Sequence, residues 1–216
     1  IHSTRVTGEL CEILLPDSAH IQESEAERAN RKGMRAGKPE VKPLYTVDEA
    51  ETALKHFEPH TYNEKIELFN GIGFTFRNAG HILGSAFIEF SITENGKETK
   101  IVFSGDVGQP GQPIIKDPSR VPQADSIITE STYGDRVHPV YDREEALRKI
   151  VVEAAARGGN LIIPAFAVGR TQIVLYYLKK LMEEKKIPEI PIVIDSPMAT
   201  KATQLTLMNP DEYDDE

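Results

Sequence analysis

Asn78-Ala79-Gly80-His81-Ile82-Leu83-Gly84-Ser85 leads into an alternating run from Ala86 to Thr93. Glu94-Asn95-Gly96-Lys97 follows, then a second run from Thr99 to Ser104, then Gly105-Asp106. Asn-Gly between two apolar runs is the strongest local hairpin signal, because both central turn positions need positive φ. Pairing Glu94 with Lys97 sets Phe90 against Ile101 and Ile88 against Phe103, so apolar side chains meet on one face. The same register carries Asp106 to a position opposite Ser85, beside the glycine-flanked loop that holds His81. An imidazole and a carboxylate converging at a strand end, with glycines allowing close backbone approach, is how a zinc site is begun. Two ligands alone do not complete one.

Working outward, the N-terminal part reads as a strand at Ile1, a helix over Thr7–Leu15, and a charged helical run from Asp17 to about Arg31. Thr46 with Glu49 three residues later forms a capping-box signature for another helix. Strands are expected at Ile66–Phe69, Gly73–Phe76, Ala86–Thr93, Thr99–Ser104 and Ser126–Glu130, a succession that favours a mixed or antiparallel sheet. Beyond Tyr133 the pattern changes. Arg143–Arg157 reads as a helix stopped by Gly158-Gly159. Asn160–Pro164 and Pro191–Ile194 read as buried apolar strands, separated by a helix over Gly169–Lys185. Ser196 caps a last helix with Pro197 in its first turn. Strand-helix-strand-helix of this kind predicts parallel crossovers and a Rossmann-like sheet. The boundary between the two parts falls in the polar loop around Val137, giving residues 1–137 and 138–216.

The chain has 216 residues, with 39% hydrophobic and 27% charged content, as expected of a globular protein. No apolar run approaches the length of a membrane span. A net charge of −9 argues against broad binding of nucleic acid through a basic surface. It leaves room for a nuclease in which metal ions and a few local cations handle the phosphates. The sole cysteine, Cys11, reads as a small buried hydrophobe, and a lone thiol favours a reducing, cytoplasmic setting. Both termini read as cut from something longer, which leads us to expect unpaired strand edges, bare apolar faces and self-association.

Six motifs in one order carry a resemblance that covers nearly the whole chain. They are the His81 loop, Ser104-Gly105-Asp106-Val107-Gly108, Thr129-Glu130-Ser131-Thr132-Tyr133-Gly134-Asp135-Arg136, Pro164 through Arg170 to Gln172, Asp195-Ser196-Pro197-Met198-Ala199, and Leu15-Pro16-Asp17-Ser18-Ala19-His20 with Lys42-Pro43-Leu44-Tyr45-Thr46. Together they resemble the β-CASP branch of the metallo-β-lactamase superfamily, especially prokaryotic members related to the mRNA 3′-end cleavage endonuclease. The resemblance implies a partial αβ/βα sandwich followed by the first half of a Rossmann-like β-CASP domain. It implies two zinc ions in the parent enzyme, with His81 a ligand, Asp106 bridging, and Glu130 an acidic residue that helps place a catalytic histidine. The family's His-x-His-x-Asp-His motif and its later histidines are absent, so this chain is expected to be an inactive internal piece of a hydrolase.

On that basis the expected activity is cleavage of single-stranded RNA, with DNA as the other nucleic acid. A small-molecule ester, thioester or lactam hydrolase and a non-catalytic scaffold subunit of an RNA-processing complex are the alternatives. Arg170, at the start of a helix after a buried strand, is a candidate phosphate contact. Ser196 is first a helix cap and second a substrate contact. Asp17-Ser18-Ala19-His20 places His20 as a surface or supporting residue, and His2, His56, His60 and His138 read as structural.

Overall fold

The computed structural model of the chain describes residues 1–34, 37, 39–137 and 139–214. A short strand β1 (His2–Thr4) runs directly into a helix α1 (Arg5–Met34). The sequence predicted two helices here, broken at Pro16; the structure has one, with Pro16 inside it. An interior proline forfeits one backbone hydrogen bond and costs about 3 kcal/mol. Burial on both sides of the proline offsets that: Val6 and Leu10 precede it, Ala19 and Ala26 follow it. Cys11 on this helix is half-buried rather than fully buried, and burial pushes its thiol pKa up.

The second helix, α2 (Val47–Leu54), packs against α1. Its start carries the expected capping box: Thr46 Oγ1 accepts from Glu49 N at 3.3 Å, and Thr46 N donates back to Glu49 Oε2 at 2.8 Å. Strand β2 (Glu58–His60) then lies parallel to β1.

A five-stranded sheet follows, built from β3 (Lys65–Phe69), β4 (Ile72–Asn78), β5 (Ala86–Glu94), β6 (Lys97–Phe103) and β7 (Ser126–Ile128) in that spatial order. β7 joins β6 in parallel, and the other pairs are antiparallel. The hairpin has the predicted register, with Glu94 opposite Lys97, Phe90 opposite Ile101 and Ile88 opposite Phe103. Asn95 (φ 50°) and Gly96 (φ 77°) take the left-handed turn conformation that Asn-Gly supplies. Phe74 and Phe76 of β4 extend the apolar face, in a cluster with Ile66, Ile88 and Phe90. The other face buries Phe87 and Val102 with Ala79. It also buries Glu89, whose Oε2 accepts from Arg77 Nη2 at 2.8 Å and Nε at 3.1 Å while Lys100 Nζ approaches Oε1 at 3.4 Å.

Three helices complete the chain: α3 (Arg143–Ala156), α4 (Arg170–Glu183) and α5 (Pro197–Met208). Asp142 caps α3 and Ser196 caps α5 with Pro197 in the first turn. Gly158, at φ 65°, turns the chain out of α3. Val151, Leu178, Leu181 and Ile187 form the α3–α4 core. The α/β class is as expected, but one detail differs. Residues 160–164 and 191–194 form no ladder with each other or with another described strand. Ile162 and Val193 are more than four-fifths exposed. A strand exists only through its partner's hydrogen bonds, and apolar composition alone does not supply one. None of the described helices is long and apolar enough to cross a membrane.

Candidate metal centre at the open end of the hairpin

Two loops leave the open end of the β5–β6 hairpin, and each is tied down by side chains whose placement follows from the sequence. Before β5, Ala79 N donates to Ser85 O at 3.1 Å and closes the loop that carries His81. Ser85 Oγ sits inside it and accepts from His81 N at 3.1 Å and Ile82 N at 3.2 Å. Asn78 Oδ1 accepts from Gly80 N at 2.8 Å. Leu83 plugs the loop into a core of Val6, Leu10 and Leu205, so α1 and α5 hold it from below. Thr4 Oγ1 and Thr7 Oγ1 both donate to Gly84 O, at 2.7 and 2.8 Å.

The glycines of this loop are required by contact as well as conformation. Gly84 has φ 76°, and a Cβ there would lie 2.8 Å from Thr7 N. Gly108, in the partner loop, is the closer case. A Cβ on it would fall 1.6 Å from Gly80 O. Its N–H donates to Ala79 O at 2.9 Å, locking the two loops backbone to backbone.

After β6, the ladder ends at Phe103, so Asp106 is not paired with Ser85 as a strand residue. A turn through Gly105 (φ 55°) carries it instead. Ser104 Oγ donates to Gly105 O at 2.6 Å and accepts from Glu130 N at 3.0 Å. Glu130 Oε1 accepts from Val107 N at 2.8 Å. That backbone bond, then Thr132, with a contribution from the nearby His81, holds the Glu130 carboxyl below the ordinary carboxylate range.

The outcome is that His81 Nε2 and Asp106 Oδ2 stand 3.8 Å apart, both open to solvent. That gap is longer than a hydrogen bond. It is no wider than two zinc–ligand bonds of roughly 2.0–2.2 Å each can span. A neutral imidazole and a carboxylate are a donor set suited to zinc. Among the described residues no third His, Cys, Asp or Glu joins them within 4.8 Å. The pair fits a metal centre as part of a ligand set.

The other predicted residues are placed differently. Arg170 is exposed at the first turn of α4, after Gly169 at φ 83°. Gly169 lies against Ile82, and a cleft of about 20 Å³ joins His81, Ile82, Gly169 and Gln172. The α4 N-terminus and the His81 loop therefore share one cleft. Ser196 Oγ accepts from Ala199 N at 3.1 Å, and Ser196 O accepts from Thr200 N, so it caps α5. His20 is exposed on α1, and His138 lies outside the described residues. Sequence reasoning missed the residues that lock the loops, namely Asn78, Ser85, Ser104 and Gly108. Their signal was their position beside His81 and Asp106, yet a short polar residue next to a glycine reads equally as an ordinary turn.

Comparison with known proteins gives the family of the chain. Residues 171–216 match the Beta-Casp domain family. A ribonuclease of Thermus thermophilus is 32% identical over 95% of the chain. A transcription termination factor, FttA, of Methanosarcina mazei is 37% identical over 73% of it. An endoribonuclease of Kluyveromyces lactis is 30% identical over 78%. The chain spans 42% of the first of these proteins, 25% of the second and 23% of the third.

Proposed function

Since the chain belongs to the β-CASP family of RNA-processing metallo-β-lactamase-fold proteins, we propose that the protein containing it is a zinc-dependent phosphodiesterase that cleaves single-stranded RNA. The observation that carries this reading is the His81–Asp106 pair, held 3.8 Å apart by two loops locked through Gly108. Ribonuclease and endoribonuclease relatives support RNA over DNA as the substrate. The division into a metallo-β-lactamase part over 1–137 and a β-CASP part over 138–216 belongs to the same proposal. So does a reducing, cytoplasmic home, which the one thiol of this chain, the free Cys11, favours.

In this reading His81 offers its Nε2 lone pair and Asp106 its carboxylate charge to the metal pair. When bound, the metals supply Lewis acidity that lowers the pKa of a water and stabilises charge on the phosphodiester. Glu130 acts as a positioning residue: it grips Val107 N and so fixes the loop on which Asp106 rides. The Val107 N–H bond, with Thr132, holds its carboxyl below the ordinary carboxylate range. Arg170, exposed at the start of α4, is the proposed contact for a phosphate of an RNA strand lying over this surface. Ser196 contributes by fixing the start of α5 and stands as a secondary substrate contact.

The test is an assay of the whole protein on single-stranded RNA, single-stranded DNA and a model thioester, before and after removal of metal with a chelator. RNA cleavage is expected to vanish with chelation and return with zinc. His81→Ala and Asp106→Ala are each expected to lower kcat by at least on the order of 100-fold, beyond what loss of a supporting residue costs. Faster turnover of the thioester than of RNA would move the protein to the small-molecule hydrolases. No turnover of any substrate by the zinc-loaded protein would favour a scaffold role.

A further inference from the structure

A second cluster of metal-ligating side chains shares no residue with His81 and Asp106. Strands β1 and β2 pair in parallel with His2 opposite Glu58 and Thr4 opposite His60. Residues two apart on a strand share a face, so Glu58 and His60 project to the side on which His2 also lies. One donor atom from each of the three falls within 4.8 Å of the others. His2 Nδ1 is 2.9 Å from His60 Nε2 and 3.2 Å from Glu58 Oε2.

Hydrogen bonding alone serves this arrangement poorly. A neutral imidazole nitrogen is either a donor or an acceptor. If His2 Nδ1 carries a proton, the His60 lone pair and the Glu58 carboxylate compete for it. If it is bare, it faces the carboxylate lone pairs across 3.2 Å. A cation accepts all three lone pairs together. The two spacings from His2, 2.9 and 3.2 Å, are short enough for neighbouring ligands on one ion with bonds of roughly 2.0–2.2 Å, and the third pair lies within 4.8 Å.

The surroundings favour the ligand form of His60. Its Nδ1 is 3.9 Å from Glu64 Oε2, and that oxygen is fixed by Thr61 N at 3.1 Å and Thr61 Oγ1 at 3.2 Å. At that distance the link is electrostatic and not a hydrogen bond, and a carboxylate facing Nδ1 favours the proton on Nδ1, which leaves Nε2 bare toward His2. The Phe74 ring limits both imidazoles, its centroid 5.5 Å from that of His2 and 6.1 Å from that of His60. Glu58 is largely exposed, which leaves an open side for entry and for water ligands.

We propose that His2, Glu58 and His60 form a second metal site, which takes one zinc-class divalent ion with water completing its coordination. Two imidazoles and one carboxylate select a borderline transition ion over magnesium or calcium. The ion ties β1 to β2, so its role is to fasten these strands.

The test is a zinc titration of the metal-stripped chain against a competing chromophoric chelator, repeated with cobalt to read imidazole ligation from its absorption bands. One zinc per chain is expected at this cluster, with no competition from millimolar magnesium. Glu58→Gln, at an exposed position that keeps the fold, is expected to weaken binding at least about 10-fold. His60→Gln should weaken it further and remove the cobalt bands, and His81→Ala should leave this binding unchanged. The proposal is overturned by zinc binding that survives Glu58→Gln and His60→Gln, by binding lost instead with His81→Ala, or by no stoichiometric zinc. Circular dichroism on each variant separates loss of the site from loss of the fold. Activity on RNA plays no part in the readout, so this result stands apart from the nuclease assay.

Discussion

Gly108→Ala tests whether the two loops that bear His81 and Asp106 are locked against each other. The added Cβ would lie 1.6 Å from Gly80 O, where ordinary contact begins at 3.4 Å. Backbone on both sides leaves no flexible side chain to yield, so the loops must part by about 2 Å. Parting breaks the bond from Gly108 N to Ala79 O, worth about 0.5–1.5 kcal/mol. Overpacking adds about 1–3 kcal/mol. The expected destabilisation is about 2–4 kcal/mol, which lowers Tm by roughly 5–15 °C for a chain of this length. Gly111→Ala is the control, because Gly111 has φ 70° but open space around it and pays only a conformational cost of about 1–2 kcal/mol. Thermal unfolding by circular dichroism reads the first effect. RNA cleavage by the whole protein reads the second, where a shift of this size at the His81–Asp106 pair is expected to cost at least on the order of 100-fold. If Gly108→Ala melts and cleaves like Gly111→Ala, the loops are not interlocked and the geometric case for the site fails.

Other outcomes follow from single features. Glu89→Gln is expected to lose about 2–3 kcal/mol in urea unfolding at pH 7, since it weakens two charge-assisted hydrogen bonds from Arg77 and one from Lys100. Burial pushes the Glu89 carboxyl up, but those partners outweigh it and hold it below the ordinary range. Its stabilisation is therefore present above the unfolded carboxylate value near about 4.3 and fades as pH falls through the lower folded value. The stability gap between wild type and Glu89→Gln should close in acid, and a gap that widened there would contradict the assignment. Thr46→Ala removes the capping box of α2 and should cost about 1 kcal/mol, measured by the same unfolding curves. The chain of 216 residues loaded with zinc is expected to leave RNA uncut, because His81 and Asp106 supply two donors where a catalytic zinc needs three. Metal-dependent cleavage by this chain would refute that ligand count.

Much of the candidate site was legible because its signals are local. Asn95-Gly96 dictated the turn, the turn dictated the register, and the register brought the ends of β5 and β6 together. The caps at Thr46, Asp142 and Ser196 follow from one side chain reaching the next turn of its own helix. What escaped the sequence depends on distant partners. Pro16 reads as a helix break until α2 and α5 are seen packed along both halves of α1. Asn160–Pro164 and Pro191–Ile194 read as strands from composition, but no described strand pairs with either.

The sequence by itself thus determined the hairpin, its register, the helix starts and the presence of His81 and Asp106 on neighbouring loops. Those features are set by φ preferences and hydrogen bonds over a few residues. Only the tertiary structure decided the 3.8 Å between His81 Nε2 and Asp106 Oδ2, the Gly108–Gly80 contact that holds it, and the meeting of His2 with Glu58 and His60. His2 and His60 lie 58 positions apart. Their approach depends on a parallel pairing across α1 and α2, stabilised by packing that no local pattern encodes.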